Sequence, residues 1–302
     1  MYYSQTRDQI FNRPIPVPIG IEKMYTSMGQ VDNRGVEITL GGTPVQTSAF
    51  TWNASLYFWL NRNRIVHLYG EDTDNDGRED DDIASGLFIG EPIGAIYGWE
   101  SDGIVQEDDQ VYMFMTGALP GYPKYVDQDN MGDINDADRK ILGYASPAFK
   151  LNMSHTLTYK NLQLYFMLIG SFGSDRYFLK SNQWAYLVNS SGYANSNGIY
   201  IPYWTPENRS NVYPSAAFSG DGRFLGLQNR TFVRLQDVTL SYAFRQPWVK
   251  KAGIDVLKVY ASAKNLATLT GWQGADPENG IGVHGGGYPI PTSISIGINL
   301  NF

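Results

Sequence analysis

The sequence predicts an all-β fold: an antiparallel transmembrane β-barrel segment of about eight strands, each of about ten residues, with long loops on one side. Three observations predict it. Several segments alternate strictly between apolar and polar residues, the connections between them alternate between short and long, and the chain ends on an alternating segment. Aromatic residues make up 14% of the chain and charged residues only 18%, with 32 Gly, which favours strands and turns over helix bundles.

The last nine residues carry the clearest strand signal. From Ile294 to Phe302 every even position is apolar and every odd position is small or polar, which is the period of a half-buried strand. In a membrane barrel the apolar face meets lipid and the polar face meets the lumen. Similar alternation predicts strands at 52–61, 151–160, 162–168, 238–244 and 257–264, and more weakly at 2–11 and 31–40.

The connections between these segments alternate in length. Short ones lie at 41–49, around Lys160-Asn161 and at 245–254, and long ones lie at 12–30, 66–148, 172–229 and 267–291. Short turns on one side and long loops on the other are typical of a transmembrane barrel, with the long loops extracellular. This phase places the C-terminus on the periplasmic side. The loops 66–148 and 172–229 are awkward for a compact soluble domain.

A second interpretation uses the same strands. Half-buried antiparallel strands also occur in soluble sandwiches, so the alternative is a secreted, soluble all-β module that binds glycans. No apolar run approaches the roughly 18 residues of a membrane helix. The N-terminus lacks the basic and apolar regions of a signal peptide, and the chain contains no cysteine for disulfides or thiolate sites.

The formal charge of −7 is concentrated in two segments. Residues 71–82 hold eight acids and one base, and residues 127–138 hold five acids and no base. These 24 residues carry a net charge of −12, so the rest of the chain sums to +5. Such acidic loops make nucleic acid an unsuitable partner.

Both acidic segments resemble the twelve-position calcium loop, in which positions 1, 3, 5, 7, 9 and 12 supply oxygen ligands and position 6 is Gly. In residues 127–138 the predicted Ca²⁺ ligands are Asp127, Asp129, Asp133, Asn135 and Asp138. Met131 stands at position 5, where a thioether suits a hard cation poorly.

In residues 72–83 the predicted ligands are Asp72, Asp74 and Asp76, with Gly77 at position 6. Ile83 occupies position 12, so Asp80 or a neighbouring acid would have to complete the site. For both segments the alternative is an Asp/Asn/Gly turn whose carboxylates bond only their own backbone.

The sequence shows no catalytic signature. Its three His, His67, His155 and His284, lie in separate regions, and neither H-E-x-x-H nor G-x-S-x-G occurs. We therefore expect no enzyme. Aromatic side chains in the long loops suit sugar rings or peptide segments, although most such rings only pack the loops together. The candidate substrate-binding residues are Tyr97, Trp99, Trp184 and Trp204.

A set of short motifs, ordered along nearly the whole chain, resembles one family of transporters. The motifs are Asn33–Glu37, Gly90–Gly94 with Tyr97–Trp99 and Asp102–Ile104, Asp127–Asp138 with Gly143 and Pro147, Phe232–Tyr242, Tyr260–Leu266, Asp276–Glu278, Tyr288–Pro289 and Phe302. Together they are similar to the C-terminal barrel portion of SusC/RagA-family TonB-dependent outer-membrane transporters.

The resemblance implies a function and partners. Complete family members carry a signal peptide, a plug domain and a plugged barrel of about 22 strands, so the chain is expected to be a fragment, a truncated frame or one piece of a split transporter. It implies import of a large nutrient, an oligosaccharide or peptide, across a Gram-negative cell outer membrane, together with a SusD-like lipoprotein. TonB-ExbB-ExbD would act through a plug outside this chain, and Phe302 would be an outer-membrane sorting signal.

Overall fold

A computed structural model describes residues 1–8, 10–14, 23–27, 29–173, 178–180, 202–218, 223–272, 276–279 and 290–302. Within these ranges strands predominate, and the two α-helices are short. The helices are α1 (Gln110–Thr116) and α2 (Pro247–Lys251). The strands are β1 (Tyr2–Arg7), β2 (Ile10–Pro14), β3 (Lys23–Ser27), β4 (Gln30–Gln46), β5 (Phe50–His67), β6 (Ala95–Trp99), β7 (Ser101–Ile104), β8 (Pro123–Tyr125), β9 (Arg139–Tyr144), β10 (Phe149–Tyr159), β11 (Leu162–Phe172), β12 (Phe178–Lys180), β13 (Leu227–Asn229), β14 (Phe232–Phe244), β15 (Val256–Thr270) and β16 (Ser293–Asn301).

One large sheet dominates the described residues. It has eight strands in the order β1-β4-β5-β10-β11-β14-β15-β16, and every neighbouring pair is antiparallel. Strands that follow one another along the sheet also follow one another along the chain, because the strands missing from this order form separate two-stranded sheets in the loops. The prediction of about eight antiparallel strands is confirmed.

The strand register places the apolar residues of all these segments on one face. Leu151 of β10 lies opposite Phe58 of β5, and the neighbouring pairs keep the same phase across the sheet. We call this surface the apolar face. It is formed by Val36, Ile38, Leu40, Trp52, Ala54, Leu56, Phe58, Leu60, Leu151, Met153, His155, Leu157, Leu164, Phe166, Leu168, Val238, Leu240, Val259, Ala261, Ala263, Ile294, Ile296, Ile298 and Leu300.

Much of the apolar face is open. The side chains of Ile294, Ile296 and Ile298 remain 72%, 80% and 64% exposed. The opposite face, which we call the polar face, carries residues such as Asn152, Ser154 and Thr156. Among the described residues no helix is both long enough and apolar enough to cross a membrane.

His155 is the polar exception on the apolar face. Its Nδ1 accepts a hydrogen bond of 3.2 Å from Trp52 Nε1, and its ring stacks on Phe166 with the centroids 4.8 Å apart. Both partners are cross-strand neighbours on the same face. The aromatic contacts cover the imidazole and satisfy one of its nitrogens, so the residue is accommodated within an apolar surface.

Two strands are longer than their alternation suggests. The segment 41–49 was predicted as a short turn, but β4 continues to Gln46 and only residues 47–49 form the turn. Pairing with β5 overrides the low strand propensity of Gly41 and Gly42, and the register shift between Gly42 and Val45 absorbs the irregularity. Likewise β15 extends to Thr270, four residues into the predicted loop.

At both ends of the sheet a Tyr ring covers a Gly on the adjacent strand. Tyr260 of β15 lies over Gly297 of β16, and Tyr2 of β1 lies over Gly35 of β4. A Cβ at either Gly would overlap the Tyr ring. The ring occupies the space that a glycine leaves open on a pleated sheet, which ties the outermost strand to its neighbour.

Gly297→Ala should therefore weaken the attachment of β16, because the new methyl group forces the Tyr260 ring out of place. We expect a loss of about 1–3 kcal/mol, the usual penalty of overpacking, measured as a lower midpoint of thermal unfolding in detergent. Gly42→Ala is the matched control, since a Cβ there meets nothing within 4 Å. In a Tyr260→Ala background, Gly297→Ala should cost nothing further; an equal loss there would contradict the contact.

Candidate metal centres and a cleft in the long loops

The two longest loops pack against each other. Trp204 is 7% exposed, and its Nε1 donates to Gln106 Oε1 at 2.9 Å. The backbone N–H of Ile104 donates to Asn211 Oδ1 at 2.9 Å, and the ring of Trp204 lies against Gly121. Because every one of these contacts joins the loop 66–148 to residues 202–218, the loops form a common core that can hold a site in place.

The segment 127–138 adopts the backbone of a calcium loop. Asn130 and Gly132, at positions 4 and 6, have left-handed φ values of 58° and 90°. The N–H of Gly132 donates to Asp127 Oδ2 at 2.8 Å. The chain therefore curls around the carboxylate at position 1, as the sharp turn at position 6 of such loops requires.

Three carboxylates of this segment converge. Ligand oxygens of Asp127, Asp129 and Asp138 all lie within 4.8 Å of one another. Asp127 Oδ1 is buried and has no hydrogen-bond partner among the described residues. A buried oxygen without a donor costs free energy, and anions this close repel. A hard cation with oxygen ligands would relieve both, so the residues fit Ca²⁺.

Asp138 holds the end of the segment. It is fully buried, and it accepts N–H bonds from Asn135 at 2.8 Å and from Gln128 at 2.7 Å. The N–H of Asn135, which outweighs the effect of burial, and that of Gln128 hold the pKa of Asp138 below its ordinary value. The carboxylate is thus kept ionised, which is the form that ligates a cation.

The other predicted ligands of this segment form local bonds. Asn135 Oδ1 accepts the N–H of Ala137, and Asn135 Nδ2 donates to Asp133 Oδ2 at 3.1 Å. Met131, at the unsuitable position 5, is 77% exposed and contributes no oxygen. The geometry therefore brings together three of the five predicted ligands and leaves Asp133 and Asn135 bonded to each other.

The segment 72–83 has the same backbone signature. Asn75 and Gly77 have φ values of 60° and 82°, and the N–H of Gly77 donates to Asp72 Oδ2 at 3.0 Å. Here the converging oxygens belong to Asp72, Asp74 and Asp80. Asp76 is not among them, since its Oδ1 accepts the N–H of Arg78 at 2.8 Å.

Glu79 ties this second segment to the top of β5. Its Oε1 accepts N–H bonds from Leu68 at 2.7 Å and Gly70 at 2.6 Å, and its Oε2 lies 3.2 Å from His67 Nδ1. Burial alone would raise the pKa of Glu79, but the bonds from Gly70, Leu68 and His67 outweigh it and hold the pKa below its ordinary value.

Of the predicted substrate-binding aromatics, Trp99 borders a large cleft in the described loops. The cleft has a volume of about 900 Å³, and Tyr125, Asn211, Phe224 and Gln228 also line it. The indole N–H of Trp99 donates to the Asn135 carbonyl oxygen at 2.6 Å. The cleft is therefore connected directly to the segment 127–138, which no sequence pattern indicates.

The remaining aromatic candidates are placed differently. Trp204 is buried in the core between the loops, and Tyr97 packs on Phe88 with ring centroids 4.8 Å apart. Trp184 lies outside the described residues. The guanidinium of Arg139 covers the rings of both Tyr97 and Trp99, at 5.2 and 5.1 Å from the ring centroids. Spacing in the sequence gave no sign of these arginine contacts.

Comparisons with known proteins agree with the sheet and with the motifs. No protein-family model matches the chain. TonB-dependent receptor P3 of Formosa agariphila is 29% identical to it over 333 aligned positions, which cover all of the chain and 32% of the receptor. TonB-dependent receptor SusC of Bacteroides thetaiotaomicron is 27% identical, with all of the chain and 29% of SusC covered. The chain therefore spans about a third of the length of these relatives.

The fold is similar to a segment of the wall of a transporter β-barrel. A solved structure of the RagAB peptide transporter matches 99% of the chain and 32% of the RagAB chain, with a TM-score of 0.72 and 23% identity. The resemblance of the chain to the SusC/RagA family of TonB-dependent outer-membrane transporters is confirmed. The two relatives are named as receptors and the solved structure as a transporter, in agreement with the expectation that the chain is not an enzyme.

The loops should loosen in acid. Asp138 and Glu79 both have folded-state pKa values below their ordinary values, so the stability that they provide is present above the ordinary carboxyl range of about 4 and is lost as the pH falls through the lower folded values. Tryptophan fluorescence measures this loosening, because the indole of Trp99 donates to the Asn135 carbonyl. The signal of Trp99 alone is the difference between the native protein and Trp99→Phe. Asp138→Asn should show the loosened signal already at neutral pH.

Asp136→Asn is the matched control for this experiment. Asp136 belongs to the same segment, but its side chain is 79% exposed and pairs only with Arg139 at 3.4 Å. Its substitution should leave the acid transition where it is. A transition unaffected by Asp138→Asn would show that the buried carboxylate does not hold the segment.

Proposed function

We propose that the chain supplies barrel wall and loops to a TonB-dependent importer that carries a large nutrient, an oligosaccharide or a peptide, across the outer membrane. The observation that carries the proposal is the open apolar face of the sheet, which keeps one phase over the seven strands from β4 to β16. Water would oppose so much exposed apolar surface, whereas membrane lipid accommodates it. Similarity to TonB-dependent receptors along the whole chain supports the same function.

The proposed placement follows from the sheet. Three short connections lie at the same end of the strands: the turn at 47–49, the Lys160-Asn161 turn and the connection at 245–254. We assign this end, together with the C-terminus, to the periplasm. The described residues that begin and end the loops 66–148 and 172–229 lie at the other end of the strands, and these loops would be extracellular. The whole chain, residues 1–302, would be the C-terminal part of the barrel.

The proposed partners act on the two sides of this wall. A SusD-like lipoprotein would cover the extracellular loops, and TonB-ExbB-ExbD would act through a plug formed by other residues of the transporter. The cleft beside Trp99 is the proposed place where a sugar ring or a peptide segment contacts this chain, because it combines aromatic rings with amide side chains such as Asn211 and Gln228.

The assignment of the apolar face to lipid can be tested with one charge on each face. Ile296→Lys places a charge on the apolar face at mid-strand, where it should cost about 2–4 kcal/mol and lower the outer-membrane yield of the full protein. Ser295→Lys, the control, places the same charge on the polar face and should leave the yield unchanged. Recovery is measured by fractionation with and without detergent.

Two outcomes would overturn the proposal. Recovery of the native protein in the soluble fraction would favour the secreted glycan-binding module, and equal yields of the two Lys variants would show that the apolar face does not meet lipid. Phe302 extends the alternation of β16 and is 80% exposed. We propose it as part of the sorting signal, so its deletion should lower the outer-membrane yield without changing the loops.

We also propose that the segment 127–138 binds Ca²⁺ through Asp127, Asp129 and Asp138, with Asp133 and Asn135 rotating from their mutual bond to complete the shell. The unpartnered Asp127 Oδ1 supports this site. Asp72, Asp74 and Asp80 form a second, more exposed cluster, to which Asp76 could turn. The ion would hold the turn beside Trp99 and thereby stabilise the wall of the cleft.

Calorimetric titration of the full protein with CaCl₂ tests these sites. Asp127→Asn should weaken binding by about tenfold or more, as expected when a charged ligand of a hard cation is neutralised, while Asp136→Asn, which removes a charge outside the converging set, should not. A stoichiometry of two would include the cluster at Asp72. Absence of heat from Ca²⁺ binding to the folded protein would end the proposal for both segments.

A further inference from the structure

Three arginines lie just beyond the apolar face, at the end of the strands next to the long loops, which we call the upper end. On β4 the side chains of this face run through Ile38 and Val36 to Arg34, and on β5 they run through Leu60 to Arg62 and Arg64. No register shift interrupts the pairing between Val31 and Gly42, so these residues share one side of the sheet. The apolar face therefore ends in a row of positive charges next to the long loops.

Among the described residues, no carboxylate forms an ion pair with these three guanidinium groups. Arg34 lies directly opposite Arg62 in the register, a pairing of like charges that is unfavourable by itself. Within the described part of the chain, none of the three arginines forms an ion pair, and Arg34 and Arg64 form no hydrogen bond. Arg62 donates only to backbone, at 2.6 Å to the Ala148 carbonyl and 2.9 Å to its neighbour Asn61.

Asp32, the carboxylate on this stretch of the face, accepts hydrogen bonds from other side chains. Asp32 lies opposite Arg64, but its oxygens accept hydrogen bonds from Tyr3 Oη at 2.6 Å and from Gln30 Nε2 at 2.7 Å. The net charge of Asp32 and the three arginines is +2. The guanidinium groups of Arg34 and Arg64 are therefore exposed, and no described side chain neutralises them.

These side chains border a cavity of about 490 Å³. Tyr3, Asp32, Arg34, Arg62 and Arg64 line it together with loop residues that include Pro147 and Gly173. Arginine presents several N–H donors in a planar fork that matches the oxygens of a phosphate. An anion in this cavity would relieve the repulsion between Arg34 and Arg62.

An aromatic cluster lies directly below the arginines on the same face. Phe149 stacks on Phe172 with ring centroids 4.8 Å apart and lies 5.7 Å from Phe58. Arg62 is four residues above Phe58 on β5, about 13 Å along the strand. Guanidinium groups above an apolar aromatic surface match the order of an anionic lipid, whose charged headgroup lies above its acyl chains.

We propose that Arg34, Arg62 and Arg64 bind the phosphate group of an anionic membrane lipid whose acyl chains lie against Phe58, Phe149 and Phe172. The proposal rests on the proposed function, since it takes the apolar face to meet membrane lipid. A bound lipid would neutralise the arginine row and fix the upper ends of β4 and β5, which carry the loop with both acidic segments.

The experiment is native mass spectrometry of the full protein in dodecyl maltoside, titrated with dioleoyl phosphatidate. Dioleoyl phosphatidylcholine has the same acyl chains and no net charge, and inorganic phosphate has the anion without the chains. The native protein should retain phosphatidate and not phosphatidylcholine. Arg34→Gln/Arg62→Gln should weaken retention about 25-fold, from about fivefold for each guanidinium near a lipid surface.

Lys258→Gln/Lys264→Gln is the matched control. It removes the same charge from the polar face of β15, so phosphatidate retention should stay at the native level. Arg64→Gln alone, at an exposed side chain without hydrogen bonds, should lower retention about fivefold and keeps the measurement available if the double variant folds poorly.

Each contrary result has a definite meaning. Equal phosphatidate retention by the native protein and the arginine variants would overturn the site. Binding of inorganic phosphate to the same arginines as strongly as phosphatidate would identify a site for a soluble anion and overturn the lipid assignment. A protein that fractionates with the outer membrane yet shows no arginine-dependent retention tells against this inference alone, whereas recovery outside the membrane removes the proposed function.

Discussion

The antiparallel backbone register of the eight-stranded sheet is the constraint on which the other features depend. Because side chains alternate with a period of two, a slip of one residue in any pair would move that strand's apolar residues to the polar face. The sheet keeps this phase through its register shifts, among them those between Gly42 and Val45 and between Leu235 and Asp237. At both ends of the sheet a Tyr ring over a Gly adds a steric lock to the backbone hydrogen bonds.

The loops are held together by side-chain hydrogen bonds to the backbone rather than by strand pairing. Their core is small and mixed, and polar side chains bond the backbone of a distant segment, as Gln106 does with Ser210 and Asn211 with Ile104. Such bonds satisfy buried backbone groups where no strand partner exists. The acidic turns are held by local bonds instead, from Asp138 to the backbone of Gln128 and Asn135 and from Glu79 to the backbone of Leu68 and Gly70.

Charged side chains are distributed unevenly between the loops and the strands. The acids are concentrated in loop turns, and the strands carry few charges until the upper end of the apolar face, where Arg34, Arg62 and Arg64 occur. Part of this charge distribution can be predicted from the sequence, because the acidic segments stand out in the chain and the arginines lie next to an alternating apolar run. That Arg34 faces Arg62 depends on the pairing of β4 with β5, which no local pattern specifies.

The sequence by itself determined the strands, their faces, the alternation of short and long connections, and the resemblance to SusC/RagA transporters, because a period of two and ordered motifs are local properties. It also located both acidic turns, since left-handed Asn and Gly positions follow from residue type. Only the tertiary structure decided that Asp80 replaces Asp76 in its cluster, that Trp204 is buried, and that Trp99 joins the cleft to Asn135. Those outcomes depend on contacts between residues far apart in the chain, whose energies are small individually and take effect only after the sheet has brought the loops together.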